Sequence, residues 1–349
     1  MNRDKVRVGV IGATGYSGVE LMRILSQHPH VAITYVAGNH QEERALSLEH
    51  PYLPGFSNLT METYQPAAAV ERCDALFVAL PSGRSGVIAG ELWRAGKKVV
   101  DLSGDLRLPG TLYEQWYAHP AVQQELVDRA VYGLTEWRRD LIRQATLVAN
   151  PGCYATAVLL ALLPLYAAHL IPPEQPLIID AKSGVSGAGR KATPASMLAE
   201  LGENFYAYKV GQHQHTPEIE TQLAQAGFRG RLLLTTQLLP CTRGLFVSAY
   251  IQPQSPIDDA DIQAAFLNRY RDEPFITVHA PGEYPQLKHV RGSNRCHIGY
   301  RMDARTGVLQ VFSVLDNLQK GAAGQAVQNF NVMHGFAEDE ALAGLPVYP

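Results

Sequence analysis

The first twenty-seven residues constrain the fold most. Lys5 to Ile11 is a strand-like run rich in β-branched residues. It ends in Gly12-Ala13-Thr14-Gly15-Tyr16-Ser17-Gly18, and Val19 to Gln27 follows with Val19, Leu21, Met22, Ile24 and Leu25 at helical spacing. A strand that turns through glycines straight into a helix is the opening of a βαβ unit. The alternation continues: strand-like runs lie at Val31 to Ala37, Ala75 to Leu80 and Lys98 to Leu102, with a helical pattern at Val87 to Trp93. Residues 1–150 are therefore predicted to form a doubly wound, Rossmann-type α/β domain with a parallel sheet. Gly12, Gly15 and Gly18 differ from the usual G-x-G-x-x-G spacing, and a glycine turn can be only a turn. Placed between strand and helix, however, it lets the backbone approach a pyrophosphate at a helix N-terminus. The second strand ends Ala37-Gly38-Asn39-His40 without the carboxylate that would grip a ribose 2′-hydroxyl, and Arg44 is near, so NADP(H) is expected rather than NAD.

From Pro176 onward the pattern changes to longer strands with polar turns, at Pro176 to Ala181, Arg231 to Leu239, Leu245 to Gln252 and Gly307 to Val314. Strands without regular helical crossovers predict an α+β second domain with a mixed or antiparallel sheet, over residues 151–316. Helices are expected at Pro217 to Ala226 and Asp258 to Tyr270, and a last one from about Asn317 to Met333. A length of 349 residues fits about two domains. The net charge of −3 and the 18% charged content lack the basic excess that nucleic acid or an anionic membrane requires. Cys73, Cys153, Cys241 and Cys296 are isolated, with no Cys-x-x-Cys pair and no zinc-type spacing to histidine, so no metal site is expected and a reducing cytoplasm fits best. The charged N-terminus leads directly into a strand, leaving no room for a signal peptide. Cys153 to Ile171 is uncharged but interrupted by Thr156, Pro164 and His169, and reads as a core helix rather than a membrane span.

Cys153 lies in Asn150-Pro151-Gly152-Cys153-Tyr154-Ala155-Thr156, just before the apolar run Ala157 to Leu163. Pro and Gly mark a turn, so the sulfur is expected at a helix N-terminus, where free N–H groups and the helix dipole stabilise a thiolate. The plainer alternative is a buried core cysteine. Gly211-Gln212-His213-Gln214-His215-Thr216-Pro217-Glu218 places two histidines ahead of a helix, with Thr216 or His215 near its cap and Pro217 at its first position. Read as alternate strand residues, the two face opposite ways, so one of them would reach a thiol as acid or base; either is otherwise a solvated or capping histidine. Arg107, after the strand end at Asp101-Leu102-Ser103, and the loop Lys182 to Lys191, with Ser186 and Arg190, are candidates for an anionic substrate group, or simply solvated cations.

Taken together these segments resemble the N-acetyl-gamma-glutamyl-phosphate reductases of arginine biosynthesis, within the semialdehyde dehydrogenase superfamily. The resemblance spans the chain. It covers Gly12 to Leu21, Asp101 to Gly104, Tyr132 to Glu136, Asn150 to Tyr154, Ser183 to Arg190, His213 to Glu218 and Asp316 to Ala323. It departs at Gly38-Asn39-His40, where relatives tend to carry Ser or Arg. The resemblance implies a nucleophilic thiol at Cys153, an acid/base histidine, His215 rather than His213, and Glu218 as its support. It implies NADP contacts from Gly12, Thr14, Gly15, Tyr16, Ser17 and Gly18, and from Asn317 near the nicotinamide. Arg107, Ser186, Arg190 and His213 would then hold an acyl-phosphate substrate. Residues 317–349 would form a C-terminal helix and tail packing back on the first domain. The expected activity is NADPH-dependent reduction of N-acetyl-γ-glutamyl phosphate through a cysteine thioester, in a homo-oligomer, dimer or tetramer. Competing readings are reduction of another acyl phosphate, of the aspartate-semialdehyde or aminoadipyl type, or a non-catalytic NADP-sensing protein. A metal-dependent hydrolase built on His213 and His215 lacks a third ligand at suitable spacing.

Overall fold

The computed structural model describes residues 5–38, 44–53, 56, 59–253 and 255–348. The chain divides into two compact units, Met1–Pro151 with Ala322–Ala343, and Gly152–Gly321 with Gly344–Pro349.

The first unit contains strands β1 (Val6–Ile11), β2 (Val31–Gly38), β3 (Arg44–Ala45), β4 (Thr60–Thr63), β5 (Ala75–Val78), β6 (Lys98–Asp101), β7 (Val131–Tyr132) and β8 (Leu147–Ala149). Its helices are α1 (Tyr16–Leu25), α2 (Leu46–Glu49), α3 (Pro66–Arg72), α4 (Ser85–Arg94), α5 (Gly110–Tyr117), α6 (Gln124–Arg129) and α7 (Thr135–Gln144). The sheet order is β3-β4-β2-β1-β5-β6-β8-β7, parallel except for the β3–β4 pair. Chain order reverses between β1 and β5, and the glycine turn leaves the carboxyl end of β1 at that switch point, where open α/β sheets bind ligands. Val8, Val10 and Ile11 of β1 and all of Ala75–Val78 are buried, as expected for strands covered on both faces.

The second unit contains α8 (Cys153–Ala167), β9 (Leu177–Gly184), α9 (Leu198–Leu201), β10 (Tyr206–Tyr208), α10 (His215–Ala224), β11 (Leu232–Leu239), β12 (Leu245–Ile251), α11 (Asp259–Tyr270), β13 (Ile276–Val278), β14 (Cys296–Asp303) and β15 (Val308–Leu315). The sheet, ordered β10-β11-β9-β12-β15-β14-β13, is mixed: β9–β11 and β13–β14 are parallel and the other pairs antiparallel. Helix α8 is apolar around its circumference and packs on β12, β15, α10 and α11. Pro164 lacks the N–H that Leu160 O would accept within the helix, and Tyr270 Oη donates to that carbonyl instead (2.7 Å). At fifteen residues α8 falls short of a bilayer, and no helix among the described residues is long and apolar enough to cross a membrane.

The last helical segment differs from expectation. After β15 the chain makes a π-helical turn, Gln319–Ala323, and only then the helix α12 (Gly324–His334). This helix belongs to the first unit and packs on α1, α7 and β6. Its buried amides are satisfied there: Asn329 Nδ2 donates to Gly133 O (2.8 Å) and Asn150 Oδ1 (3.0 Å), and Gln325 Nε2 to Thr135 Oγ1 (2.6 Å). The tail does not follow it. Gly344–Pro349 group with the second unit, where Val347 N donates to Arg291 O (2.8 Å).

Candidate active site

Cys153 is the first residue of α8, and Gly152 is its N-cap in extended conformation with no side-chain cap. No acidic residue occupies the first turn of α8 itself, and the positive helix end favours a thiolate. The sulfur belongs to a half-buried residue, between the deep core and open solvent. The chain crowds around it at two glycines. A Cβ on Gly152 would overlap the imidazole of His215, and one on Gly321 would lie 2.7 Å from Cys153 Cβ. Gly152 thus allows a histidine to rest on the backbone next to the cysteine, and Gly321 lets the π-helical turn pass against it.

Glu218 is fully buried, and its Oε1 accepts a hydrogen bond from Gly152 N (2.9 Å), fixing α10 to the start of α8. His215 opens α10, so Pro217 is the third helical residue rather than the first. The expectation that the two histidines face opposite ways fails because they do not lie on a strand. Gln214 is already helical, and the rings stand 4.7 Å apart, edge to face. His213 Nδ1 accepts from His215 N (3.1 Å), and its ring lies against Tyr154 and Tyr208, whose hydroxyls are 3.0 Å apart. Burial, then the nearby His215 and Lys209, pushes His213 down to about 2, so it stays neutral at physiological pH.

Asn317 and Ser186 come together in the same unit. Asn317 Oδ1 accepts from Gly244 N (2.8 Å) and its Nδ2 donates to Ser186 Oγ (2.9 Å). Arg190 is exposed in the loop after β9. Arg107 lies in the first unit, buried, donating from Nε to Asn150 O and from Nη2 to Leu102 O, both at 2.8 Å. The sequence reading assigned no role to Asp316. This buried carboxylate pairs with Arg243 (Oδ2–Nε 3.0 Å) and accepts from Gly292, Leu318 and Gln319 N, which shapes the turn that carries Asn317 and Gly321. A lone Asp before Asn-Leu-Gln is an ordinary turn residue, so only tertiary structure reveals it. Gly321, in Lys320-Gly321-Ala322-Ala323, left a trace as a glycine inside an otherwise helical pattern.

The glycine turn has the geometry a pyrophosphate needs. Gly12 takes φ +93°, and a Cβ there would overlap the Ala79 carbonyl; Gly18 packs as tightly on Gly12 and Ala13. Gly15, by contrast, would meet only Gly12 O, at 3.6 Å. It is the N-cap of α1, which has neither a side-chain cap nor an acid in its first turn, so the open N–H groups suit an anion. Thr14, Tyr16 and Ser17 line the same turn. Asn39 and His40, and the side chain of Arg44, lie outside the described residues.

A parallel unit with a nucleotide turn joined to a mixed-sheet unit headed by a cysteine is the plan of the semialdehyde dehydrogenases. The family model for the semialdehyde dehydrogenase NAD binding domain matches residues 7–145, and that for the dimerisation domain residues 153–317. Among solved structures, aspartate semialdehyde dehydrogenase II from Vibrio cholerae, complexed with ASA, has a TM-score of 0.71 at 16% identity, covering 95% of this chain and 99% of its own. The enzyme from Candida albicans with NADP gives 0.68, with the same identity and coverage. These show the fold. N-acetyl-gamma-glutamyl-phosphate reductases of Halalkalibacterium halodurans and Geobacillus kaustophilus are 46% and 47% identical over 346 residues, 99% of this chain and all of each relative. The chain belongs to the N-acetyl-gamma-glutamyl-phosphate reductase family.

Proposed function

We infer that the protein reduces N-acetyl-γ-glutamyl phosphate with NADPH to N-acetylglutamate semialdehyde and phosphate, a step of arginine biosynthesis, through a thioester on Cys153. The observation that carries this reading is the sulfur at the uncapped start of α8 with the His215 ring seated on the preceding residue. The thiolate attacks the acyl carbon; the C–S bond forms, the C–O bond to phosphorus breaks, and phosphate leaves. The turn Gly12 to Gly18 would hold NADPH, which would supply the hydride for reduction of the thioester carbonyl. His215 gives its proton to the oxyanion that develops and takes it back as the C–S bond breaks, which restores the thiolate and frees the semialdehyde. Neutral His213 hydrogen-bonds the backbone N–H of His215 and so positions the start of α10. Glu218 fixes the Gly152 amide. Arg107, Ser186 and Arg190 are the polar groups we assign to substrate, and Asn317 to the nicotinamide side of the cofactor.

The test is NADPH oxidation with the acyl phosphate, together with mass analysis of protein mixed with acyl phosphate alone. Wild type should turn over and gain one acyl group on the Cys153 peptide. Cys153→Ser should lose both while still binding NADPH; turnover retained by that variant overturns the nucleophile.

We further propose that copies of the chain associate through the open face of the mixed sheet. Ile178 and Leu233, paired across β9 and β11, are 48% and 52% exposed there. Four free cysteines fit a reducing cytoplasm.

A further inference from the structure

A second cluster of ligating side chains lies in the mixed-sheet unit and uses none of the residues placed around Cys153. His279 follows β13, His297 is the second residue of β14, and His289 closes a 3-10 turn, Leu287–His289, between the two strands. One ring nitrogen from each lies within 4.8 Å of the others, and this is the one such grouping among the described residues. Their positions are fixed by the backbone. Strands β13 and β14 pair in parallel, Thr277 opposite His297, and His279 N donates to Ile298 O (2.8 Å). The connecting segment is laid over β14 at Gly299, where a Cβ would come 2.7 Å from Pro285 Cδ and 2.9 Å from Glu283 O. That close approach brings His289 and Glu283 to the two strand histidines.

We propose that His279, His289 and His297 form a binding site for a divalent transition-metal ion of the Zn2+ type, with water as the remaining ligand. Tetrahedral coordination at Zn–N distances of about 2.0–2.1 Å sets nitrogens about 3.4 Å apart. Here His279 Nε2 and His297 Nδ1 are already at 3.1 Å, and a His289 nitrogen lies within 4.8 Å of the other two rings' ligand atoms. The oxygen of Glu283 lies 3.8 Å from His279 Nδ1, on the side of the ring away from His297. A carboxylate there favours a proton on Nδ1 and leaves the Nε2 lone pair toward the cluster, the arrangement that orients metal-ligating histidines. The ion replaces the hydrogen bond between His279 and His297 with coordinate bonds to these two rings and to His289. Three imidazoles without a thiolate select zinc, cobalt, nickel or copper over magnesium or calcium. The ion would pin the segment between β13 and β14 to the edge of the sheet.

The test is calorimetric titration of chelator-stripped full-length protein with Zn2+, repeated in Cys153→Ser so that the reactive thiol does not contribute. One equivalent should bind in both, with a rise in Tm. Co2+ should give the visible bands of a four-coordinate site. His289→Gln, a change in a surface turn, should weaken binding by at least about 100-fold, more than loss of a ligand's supporting partner typically costs. His279→Gln should do the same, and Glu283→Gln should weaken binding less. Absence of saturable one-equivalent binding overturns the proposal. So does affinity unchanged in both histidine variants, or binding that vanishes with Cys153→Ser.

Discussion

Replacing Gly152 with alanine isolates the contact on which the chemistry depends, because it leaves the thiol, the helix dipole and every titratable group in place. The backbone tolerates the change: Gly152 has φ −71° and ψ 152°, which alanine adopts freely. The obstacle is the new methyl, which would occupy the position of the His215 ring. The ring must move by about the radius of a methyl group or the start of α10 must retreat, and overpacking of this kind costs about 1–3 kcal/mol. At about 2–4 °C per kcal/mol for domains of this size, Tm should fall by several degrees without loss of fold. Catalysis should suffer more. A displacement of about 1 Å in a group that must meet a developing oxyanion costs about 100-fold, so kcat should drop by that order while KM for NADPH stays near wild type. Stopped-flow NADPH oxidation and the rate of Cys153 alkylation separate the two halves: alkylation should persist while reduction fails. Turnover within about twofold of wild type, in a variant whose Tm has fallen, would show that His215 is not the acid.

His215→Asn should lower kcat by about 10²- to 10⁴-fold, and His213→Asn by less; the reverse order in steady-state assays would exchange their roles. Asp316→Asn leaves the half-buried Arg243 guanidinium without its carboxylate and should cost about 3–5 kcal/mol, read as a lower Tm. His213 also governs acid stability. Its folded value of about 2 lies below the ordinary 6.5, so the unfolded chain binds the proton first, and stability is lost as pH falls below about 6.5, at up to about 1.4 kcal/mol per unit. Asp101, lifted to about 6 by burial, acts in the opposite direction below that pH. The difference between wild type and His213→Asn in urea unfolding therefore isolates the histidine, and parallel curves from pH 7 to 5 would refute its depressed value.

Periodicity made the parallel unit legible, because βαβ crossovers bury both faces of the strands and leave apolar runs such as Ala75 to Val78. It also revealed β9, β11, β12 and β15, whose strands are long. It missed β14, Cys296–Asp303, where His297, Gly299 and Arg301 break the run. Gly299 is there because Glu283 to Pro285 lie on it, a cause that appears only once the fold is assembled. Helix α7, Thr135–Gln144, escaped as well, since most of its residues are polar and only Thr135, Glu136 and Ile142 are buried. At the site, local sequence located Cys153, because Pro-Gly before an apolar run has one plain reading. The placement of the histidine pair was misjudged because a strand and an irregular entry into a helix look alike over five residues. What Asn317 touches, Gly244 and Ser186, is some seventy to one hundred and thirty residues away in sequence, and no local pattern encodes it.

The two sites that carry the chemistry share one device. Among the described residues, α1 and α8 are the α-helices that begin after a glycine N-cap, Gly15 and Gly152. Helix α11 shows the ordinary alternative: Asp258 accepts from Asp261 N (2.9 Å) in a reciprocal capping box, which spends the helix end on its own side chains. A glycine cap is nearly as stable as a polar one, a few tenths of a kcal/mol apart, yet it leaves the N–H groups for an outside anion and removes the side chain that would stand in its way. At Gly15 the open side suits the cofactor phosphate proposed there; at Gly152 the same missing Cβ is filled by an imidazole, and the proposed anion is the sulfur of the next residue. Substituting a capping serine at Gly15 would cost little stability and should lower dinucleotide affinity, whereas at Gly152 it meets the same overpacking against His215 as alanine, about 1–3 kcal/mol or more, and should lower the reduction rate. That separation follows from geometry: one glycine faces the open turn assigned to the cofactor, the other the His215 ring.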